Sequence, residues 1–446
     1  MRWWGRSDGL VAQMRRPPGG RDARIMLLAQ LLDRVGTGVW AASSVLYFTF
    51  VVGLDAGRLG LMVGAGAVAG IAGSPLAGHL ADRFAVRPML IACHLLRLVA
   101  LCVLLATTRY EFLLLLVALT HLGDRAAKTL EMLFATRVAG DRRGTYQALS
   151  RSAANAGYAV GAGIAALGLA VGTRSAYELL ILGNALSFLV AALLVGRTRE
   201  PRGRGRLVAP PGEGAPSAGA AAAESAGGSP WRDRGYLRFV LLDIPMNLDD
   251  SLLNVGLPLW LIHHTDAPHA LVPAVLAVNT VLAVLLQLAV SARVREPEQA
   301  ARAAGWYGLA VLGACVLLAL TPARGAWAAS AALLAAAVLV TAAELVRSVS
   351  SWELAVSLAP AEARASYLGV AGISPSVQKA AGPLLLTGAV MAAGPAGWIG
   401  LGAAVAGLSL VQRRAALRRL TALRPRPAAG AEAAAAPGRS GPVRAG

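Results

Sequence analysis

Residues 88–107 read PMLIACHLLRLVALCVLLAT, a stretch in which His94 and Arg97 are the only ionisable side chains apart from the thiols of Cys93 and Cys102. A helix of about 20 predominantly apolar residues is long enough to cross the hydrocarbon core of a bilayer. The apolar residues run continuously rather than alternating, which is unlike the strands of a membrane barrel. The stretch therefore predicts a membrane-spanning helix.

Similar apolar runs lie on both sides of this one, so that twelve spans can be numbered along the chain. Hydrophobic residues make up 56% of the sequence, charged residues only 15%, and the mean hydropathy is +0.58. So few charges cannot cover a water-exposed surface, which excludes a soluble multidomain protein. We predict an all-α membrane protein with twelve transmembrane helices in two six-helix halves. The spans are residues 25–52, 59–80, 88–107, 112–136, 146–171, 176–196, 237–262, 271–292, 303–321, 326–350, 367–392 and 396–412.

The net charge of +18 is distributed unevenly between the two sides of these spans. With the N-terminus placed in the cytoplasm, the cytoplasmic segments and adjacent helix ends hold 32 of the 42 Lys and Arg residues. Basic residues are retained on the cytoplasmic side of membrane proteins. The pattern predicts an even number of spans with both termini in the cytoplasm, and it accounts for the basic charge without a nucleic-acid partner.

The longest loop divides the spans six and six. It is rich in Arg, Gly, Pro and Ala, a composition typical of flexible linkers. The predicted organisation is a cytoplasmic N-terminal tail, a first half, a flexible cytoplasmic linker, a second half and a disordered cytoplasmic tail. These cover residues 1–24, 25–196, 197–236, 237–412 and 413–446 respectively. The halves resemble each other weakly, since Asp141–Tyr146 aligns with Glu362–Tyr367, which favours a repeated six-span unit.

Polar side chains recur at helical spacing in every third span. Because ionisable groups are costly in lipid, each one inside a span is a candidate functional residue. Four such stripes predict that spans 1, 4, 7 and 10 face a shared aqueous cavity; the alternative is ion pairing that only holds the bundle together. The stripes are Asp33, Thr37, Trp40, Ser44 and Tyr47; His121, Asp124, Lys128 and Glu131; Asp243, Asn247, Asp250 and Asn254; and Thr341, Glu344, Ser348 and Ser351.

With its stripes on these four spans, the chain resembles the major facilitator superfamily, whose first, fourth, seventh and tenth helices line a central cavity. The loop after span 2 is similar to a family loop motif, roughly G-x-L-A-D-R-x-G-R-R, although Ala85 and Val86 replace the usual Gly and Arg. The resemblance covers roughly residues 25–415 and extends to bacterial drug and metabolite exporters. It implies a gating loop built from Gly78, Asp82, Arg83 and Arg87.

The candidates for a substrate or proton pathway are the intramembrane polar residues. We expect Arg125 to act in binding or coupling, and we rank Asp250 first and Asp33 second as the acid that binds the coupling proton. Seven acids and five bases in the polar spans are compatible with a cationic substrate. The candidates are Asp33, Arg34, Trp40, Asp124, Arg125, Lys128, Glu131, Asp243, Asn247, Asp250, Asn254, Glu344, Arg347, Gln378 and Lys379.

These features favour a secondary active transporter that exports a small organic molecule across a bacterial cytoplasmic membrane by proton antiport. It would work as a monomer in lipid, with protons as the coupling ion and without a metal or other cofactor. An importer or uniporter of the same fold is the first alternative, and a non-transporting sensor or scaffold is a weaker one. No enzyme motif is found, and the loops are too short to build an active site outside the bilayer.

Overall fold

The computed structural model describes residues 10–199, 229–268, 271–294, 296–360 and 363–423, and within these ranges the regular backbone is helical. Helices satisfy the backbone hydrogen bonds that lipid cannot satisfy. After a short helix at Leu10–Arg15, the described helices group into twelve successive segments that match the predicted spans, whose numbers we keep. In order, they are 20–51, Ala56–Ala81, Val86–Leu105, Tyr110–Ala139, Arg143–Val171, Arg174–Gly196, 234–264, Leu271–Ser291, Pro297–Ala319, Ala326–Ser357, 364–390 and Gly394–Leu423.

Eight of the described helices are long and apolar enough to cross a membrane by length and composition alone. They belong to spans 2, 3, 5, 6, 8, 9, 10 and 12. Span 4 is one long helix but carries several charges, and spans 1, 7 and 11 each contain a π-helical turn. Span 7 is the most irregular, with a break at Pro245 before its π turn at Leu252–Gly256. Interrupted helices of this kind are common where backbone lines a binding site.

The spans alternate in direction, so the bundle has two ends. We call the end that carries Gly20, Gly196, Arg234 and Leu423 the linker end, and the opposite end the far end. Spans 1–6 form the first half and spans 7–12 the second. Within the first half, span 5 packs closely on span 1. The helices are so close that a Cβ added at Gly161 would lie only 2.0 Å from the carbonyl oxygen of Val35. Small residues let membrane helices approach in this way.

The apolar core shows where the halves meet. One hydrophobic cluster contains residues of both halves, including Met26, Phe134 and Tyr146 with Phe239 and Trp352, and it lies at the linker end. Two further clusters lie at the far end, and each is built from one half only. The halves therefore pack together at the linker end, while each half has its own core at the far end.

The last helix extends beyond the predicted start of the C-terminal tail at residue 413. Span 12 continues to Leu423, because Arg419 hydrogen bonds to Asp233 through both guanidinium nitrogens at 2.6 Å and to the carbonyl oxygen of Leu358 at 3.0 Å. The expectation of disorder does not hold for residues 413–423. The remainder of the predicted tail, most of the predicted linker and residues 1–9 lie outside the described residues.

Candidate functional site

A cavity of about 390 Å³ lies between the two halves. Spans 1, 4, 5, 7, 10 and 11 form its walls, with side chains from the middle and the linker-end portion of each span. Pockets for small organic molecules are usually roughly 300–1,000 Å³. The position between two six-helix halves and the volume are both suited to a small ligand.

Asp124 is the centre of a buried ion cluster in the first half. Its carboxylate lies 2.6 Å from Lys128 Nζ and 3.6 Å from both Arg97 Nη2 and Arg34 Nη1. The guanidinium of Arg125 is further away, with Nε 3.9 Å from Asp124 Oδ2. A carboxylate buried in a membrane protein is tolerated when it is paired in this way. Asp124 therefore holds the bases that face the cavity in place, and it does not itself line the cavity.

Asp33 lies behind the cavity wall, which differs from the predicted orientation of span 1. Its carboxylate accepts a hydrogen bond from Arg97 Nη1 at 2.6 Å and is almost completely buried. The guanidinium of Arg97 in turn lies over the ring of Phe188, 3.8 Å from its centroid. Span 1 presents Met26, Gln30 and Arg34 to the cavity instead.

Trp40 belongs to the same span 1 stripe and also lies away from the cavity. It packs edge to face against Phe48, with ring centroids 6.0 Å apart, in the far-end cluster of the first half. Span 3 supplies the buried Arg97, which pairs with the polar face of span 1. That face consequently turns into the half rather than towards the cavity.

Glu131 is the acid that the first half presents to the cavity. Gln30 Nε2 donates to its Oε2 at 3.1 Å, and Arg34 Nη2 lies 3.6 Å from the same oxygen. Ser150 donates to the side-chain oxygen of Gln30 at 2.6 Å, so spans 1, 4 and 5 are linked. The carboxylate is held in a fixed position by polar groups of span 1, one of which is in turn bound by span 5.

Arg347 organises the second half. Its Nε donates to Asp249 Oδ1 at 2.8 Å, its Nη2 donates to Asp249 Oδ2 at 3.3 Å, and its Nη1 donates to Asn247 at 2.9 Å. A two-point pairing between guanidinium and carboxylate fixes both groups. Asp249 was not a predicted site residue, but it lines the cavity.

Asp243 lies nearer the linker end of span 7. Its Oδ1 accepts hydrogen bonds from Ser351 at 2.8 Å and from Gln412 at 3.3 Å, which ties span 7 to spans 10 and 12. Asn247 Nδ2 donates to Oδ2 of Asp243 at 3.3 Å. Asp243 is therefore surrounded by neutral donors, in contrast to Asp249.

Asp250 and Lys379 form the most accessible ion pair of the cavity. Their charged atoms are 3.4 Å apart, and 44% and 48% of the respective side chains are exposed. Gln378, next to Lys379, also lines the cavity, and its Nε2 donates to Ser251 at 2.7 Å. Asn254 lies outside the cavity lining and donates to the carbonyl oxygen of Asp250 at 2.9 Å. Of the predicted acids, Asp250 has the greatest access to the cavity.

Ion pairs join the halves at two levels of the bundle. Arg151 of span 5 contacts Glu344 of span 10, which also accepts a hydrogen bond from Asn279 at 2.7 Å. Closer to the linker end, Arg143 Nε donates to Glu353 at 2.9 Å. Arg151 was missed as a candidate, although an arginine inside span 5 is a signal that the sequence contains.

The predicted gating motif lies at the same interface. Asp82 accepts a hydrogen bond from Ser366 in the other half. A Cβ at Gly78 would lie 2.5 Å from the carbonyl oxygen of Ala365, so only glycine permits this approach. Arg83 is exposed, and Arg87 donates to the carbonyl oxygen of Gly196 within its own half. Gly78 and Asp82 therefore contact the other half directly.

The charge of the cavity lining differs from the charge of the polar spans as a whole. Three acids counted from the sequence lie behind the wall, namely Asp33, Asp124 and Glu344, while Arg151 joins it. The described lining carries six bases and four acids. The polar spans as a whole have a slight excess of acids, which is compatible with a cationic substrate, but the cavity lining has an excess of bases. The ten are Arg34, Arg125, Lys128, Arg151, Arg347 and Lys379, and Glu131, Asp243, Asp249 and Asp250.

Comparisons with known proteins agree with this architecture. A family model described as Major Facilitator Superfamily matches residues 26–383. No curated protein sequence matches the chain.

Among solved structures, a bacterial homologue of the iron transporter ferroportin in an outward-facing state has a TM-score of 0.66 at 14% identity, covering 90% of this chain and 100% of its own. The proton:xylose symporter XylE has a TM-score of 0.66 at 12% identity, with 90% and 98% covered. The human organic anion transporter MFSD10 has a TM-score of 0.59 at 15% identity, with 90% and 100% covered. At these identities the likeness shows the fold.

Proposed function

The chain belongs to the major facilitator superfamily and is a membrane transport protein, and from this premise we propose that it exports a small organic molecule by proton antiport. The observation that carries the proposal is the charged cavity between the halves, together with linker-end contacts that join the halves on one side of it. A site at the interface of two repeats, closed on one side, suits alternating access.

The proposed cycle follows from where the two halves are in contact. With the linker end in the cytoplasm, the described arrangement is closed to the cytoplasm by the cluster around Trp352 and the Arg143–Glu353 pair. Rocking of the halves would break these contacts and bring the far ends together. A transporter needs two such states of similar free energy, and interfaces held by a few ion pairs and small-residue contacts can supply them.

We place proton coupling at Asp250. A coupling acid has to be reachable from the cavity and to change charge within the cycle. Asp250 combines exposure with one ion-pair partner among the described residues, Lys379. Protonation of Asp250 would free Lys379, so proton binding and the charge of the cavity are linked. Asp33 remains the second-ranked acid, although its burial behind Arg34 and Arg97 makes it less accessible.

The test uses purified protein in proteoliposomes that contain the pH indicator pyranine. A panel of small organic molecules is added on either side with imposed pH gradients of both signs. We expect substrate-dependent proton movement in the opposite direction to the substrate. Movement in the same direction would identify an importer by symport, flux without proton movement a uniporter, and no flux of any compound would overturn the transport proposal.

Substitution of the proposed acid tests the coupling step. Asp250→Asn mimics the protonated state, so we expect it to lose accumulation against a gradient and to keep downhill counterflow. Glu178→Gln is the matched control, because Glu178 pairs with Arg174 at the far end, away from the cavity. Accumulation by Asp250→Asn with normal pH dependence would assign coupling to another acid.

A further inference from the structure

From the pairing of the charges in the cavity we infer that the transported molecule is an organic anion, a carboxylate with an apolar body, and that Arg125 binds its charged group. This inference rests on the proposed transport function and specifies its substrate class. It begins from the basic excess of the described cavity lining.

Most of the basic side chains in the cavity are already paired with a carboxylate of the protein. Lys128 lies 2.6 Å from Asp124, Arg347 lies 2.8 Å from Asp249, and Arg151 contacts Glu344. Lys379 is 3.4 Å from Asp250, and Arg34 lies 3.6 Å from three different carboxylates. These five bases are neutralised within the protein.

Arg125 differs from these bases. Its nearest carboxylate oxygen in the described residues is 3.9 Å away, and that oxygen already accepts a hydrogen bond from Lys128. The guanidinium makes no side-chain hydrogen bond to any residue that the structure describes, and it borders the cavity. A guanidinium carries five N–H donors, and in a low-dielectric site unfilled donors are costly. An anion in the cavity would supply the missing acceptors.

The surroundings of Arg125 allow it to lie along the wall. Two glycines of span 2 face the aliphatic part of the Arg125 side chain. A Cβ added at Gly70 would lie 3.3 Å from Arg125 Cγ, and one added at Gly73 would lie 3.2 Å from Arg125 Cβ. The helix leaves room for the side chain at both positions. Arg125 is thus packed on its aliphatic part and available at its charged end.

The linker-end floor of the cavity indicates the chemical character of the rest of the ligand. It is formed by apolar and aromatic side chains, among them Met26, Met132, Phe239 and Trp352. A fully polar anion would leave this surface unpartnered, whereas a molecule with an aryl or alkyl body would bury it. The cavity is therefore suited to an amphiphilic carboxylate, with its charged group at Arg125 and its body on the floor.

The test compares ligands that differ only in charge. Thermal unfolding of the full-length protein in detergent is measured with phenyl, naphthyl and octyl compounds, each as a carboxylate, a neutral amide and an amine. We expect the carboxylates to raise Tm more than the amides and amines of the same body. Arg125→Gln should weaken carboxylate binding by roughly tenfold or more, the loss typical of one charge-assisted hydrogen bond.

Two further variants keep the result interpretable. Arg125→Lys keeps the charge and should retain part of the carboxylate response, while Arg174→Gln, at an exposed far-end ion pair, should retain all of it. Equal responses to the three charge types, including no response to any, would overturn the inference, and so would a full carboxylate response in Arg125→Gln. The thermal unfolding assay measures binding and requires no transport. A carboxylate that binds here but shows no flux in proteoliposomes would contradict the transport function, and the inference about binding would stand.

Discussion

At the scale of the residue, Asp233 shows how a single carboxylate stabilises the linker end. It caps span 7 by accepting from the backbone N–H of Tyr236 at 2.9 Å, and it accepts hydrogen bonds from Arg419 and from Tyr367 at 3.0 Å. The Arg419 hydrogen bond lowers the pKa of Asp233 to about 2. Three spans of the second half are therefore joined by one side chain outside the membrane.

This pairing predicts a pH-dependent contribution to stability. A carboxylate with a depressed folded-state pKa contributes fully above its unfolded pKa of about 3.9, and the contribution is lost as pH falls towards the folded value. Asp233→Asn should lower the free energy of unfolding at pH 7 by about 2 kcal/mol. The difference from wild type should shrink between pH 4 and pH 2, measured by thermal unfolding in detergent.

Asp55 provides the control for the capping part of this effect. It caps span 2 by accepting from the Arg58 N–H at 2.9 Å, but it is exposed at the far end. Asp55→Asn should change Tm much less. A constant difference between wild type and Asp233→Asn from pH 7 to pH 3 would show that the charge of Asp233 is not what stabilises the protein.

At the scale of the element, spans 5 and 10 are held together across the two halves by Arg151–Glu344 and Arg143–Glu353. Helix pairs that cross between halves have to separate in an alternating-access cycle, and ion pairs there bias the closed state. We expect Arg151→Glu and Glu344→Arg each to open the linker end, and the combined charge reversal to restore closure. The expected coupling energy is about 1 kcal/mol or more.

Cysteine accessibility measures this opening. Ala355 lines the floor of the cavity and is only 4% exposed, so Ala355→Cys in a background free of other cysteines should be protected from reagents added at the linker end. The single reversals should increase its labelling rate, and the double variant should return it to the starting value. Arg174→Glu, which disrupts a pair within span 6, should leave the rate unchanged. Protection in both single reversals would mean that the pair does not contribute to closure.

At the scale of the whole molecule, the twelve spans and the basic charge together predict the orientation. Both ends of the described chain and both ends of the interval that contains the linker lie at the same end of the bundle. The basic excess predicts that this end is cytoplasmic. Ser217→Cys should then be labelled by an impermeant reagent only in inside-out vesicles, and Arg109→Cys, at the far end, only in intact cells. Labelling of residue 217 from outside would reverse the topology and the direction of the proposed cycle.

The sequence by itself determined the fold class, the twelve helical segments and the spans that carry polar stripes. These properties are local, because apolar length and the 3.6-residue period require no knowledge of a partner helix. In the span 7 stripe, Asp243, Asn247 and Asp250 do share one face, since all three line the cavity, whereas Asn254 lies outside the lining. The helical extension of span 12 was missed because Arg419 is stabilised by Asp233, almost two hundred residues earlier in the chain.

Only the tertiary structure decided which way each stripe faces and which charges are neutralised. The spacing of Asp33 and Trp40 places them on one face of span 1, but a buried arginine on span 3 turns that face away from the cavity. In the same way, Arg125 and Lys128 are similar in sequence context, yet Lys128 is held at 2.6 Å from Asp124 and Arg125 is not. Pairing in a low-dielectric interior depends on distances between helices, and separations along the chain do not specify those distances.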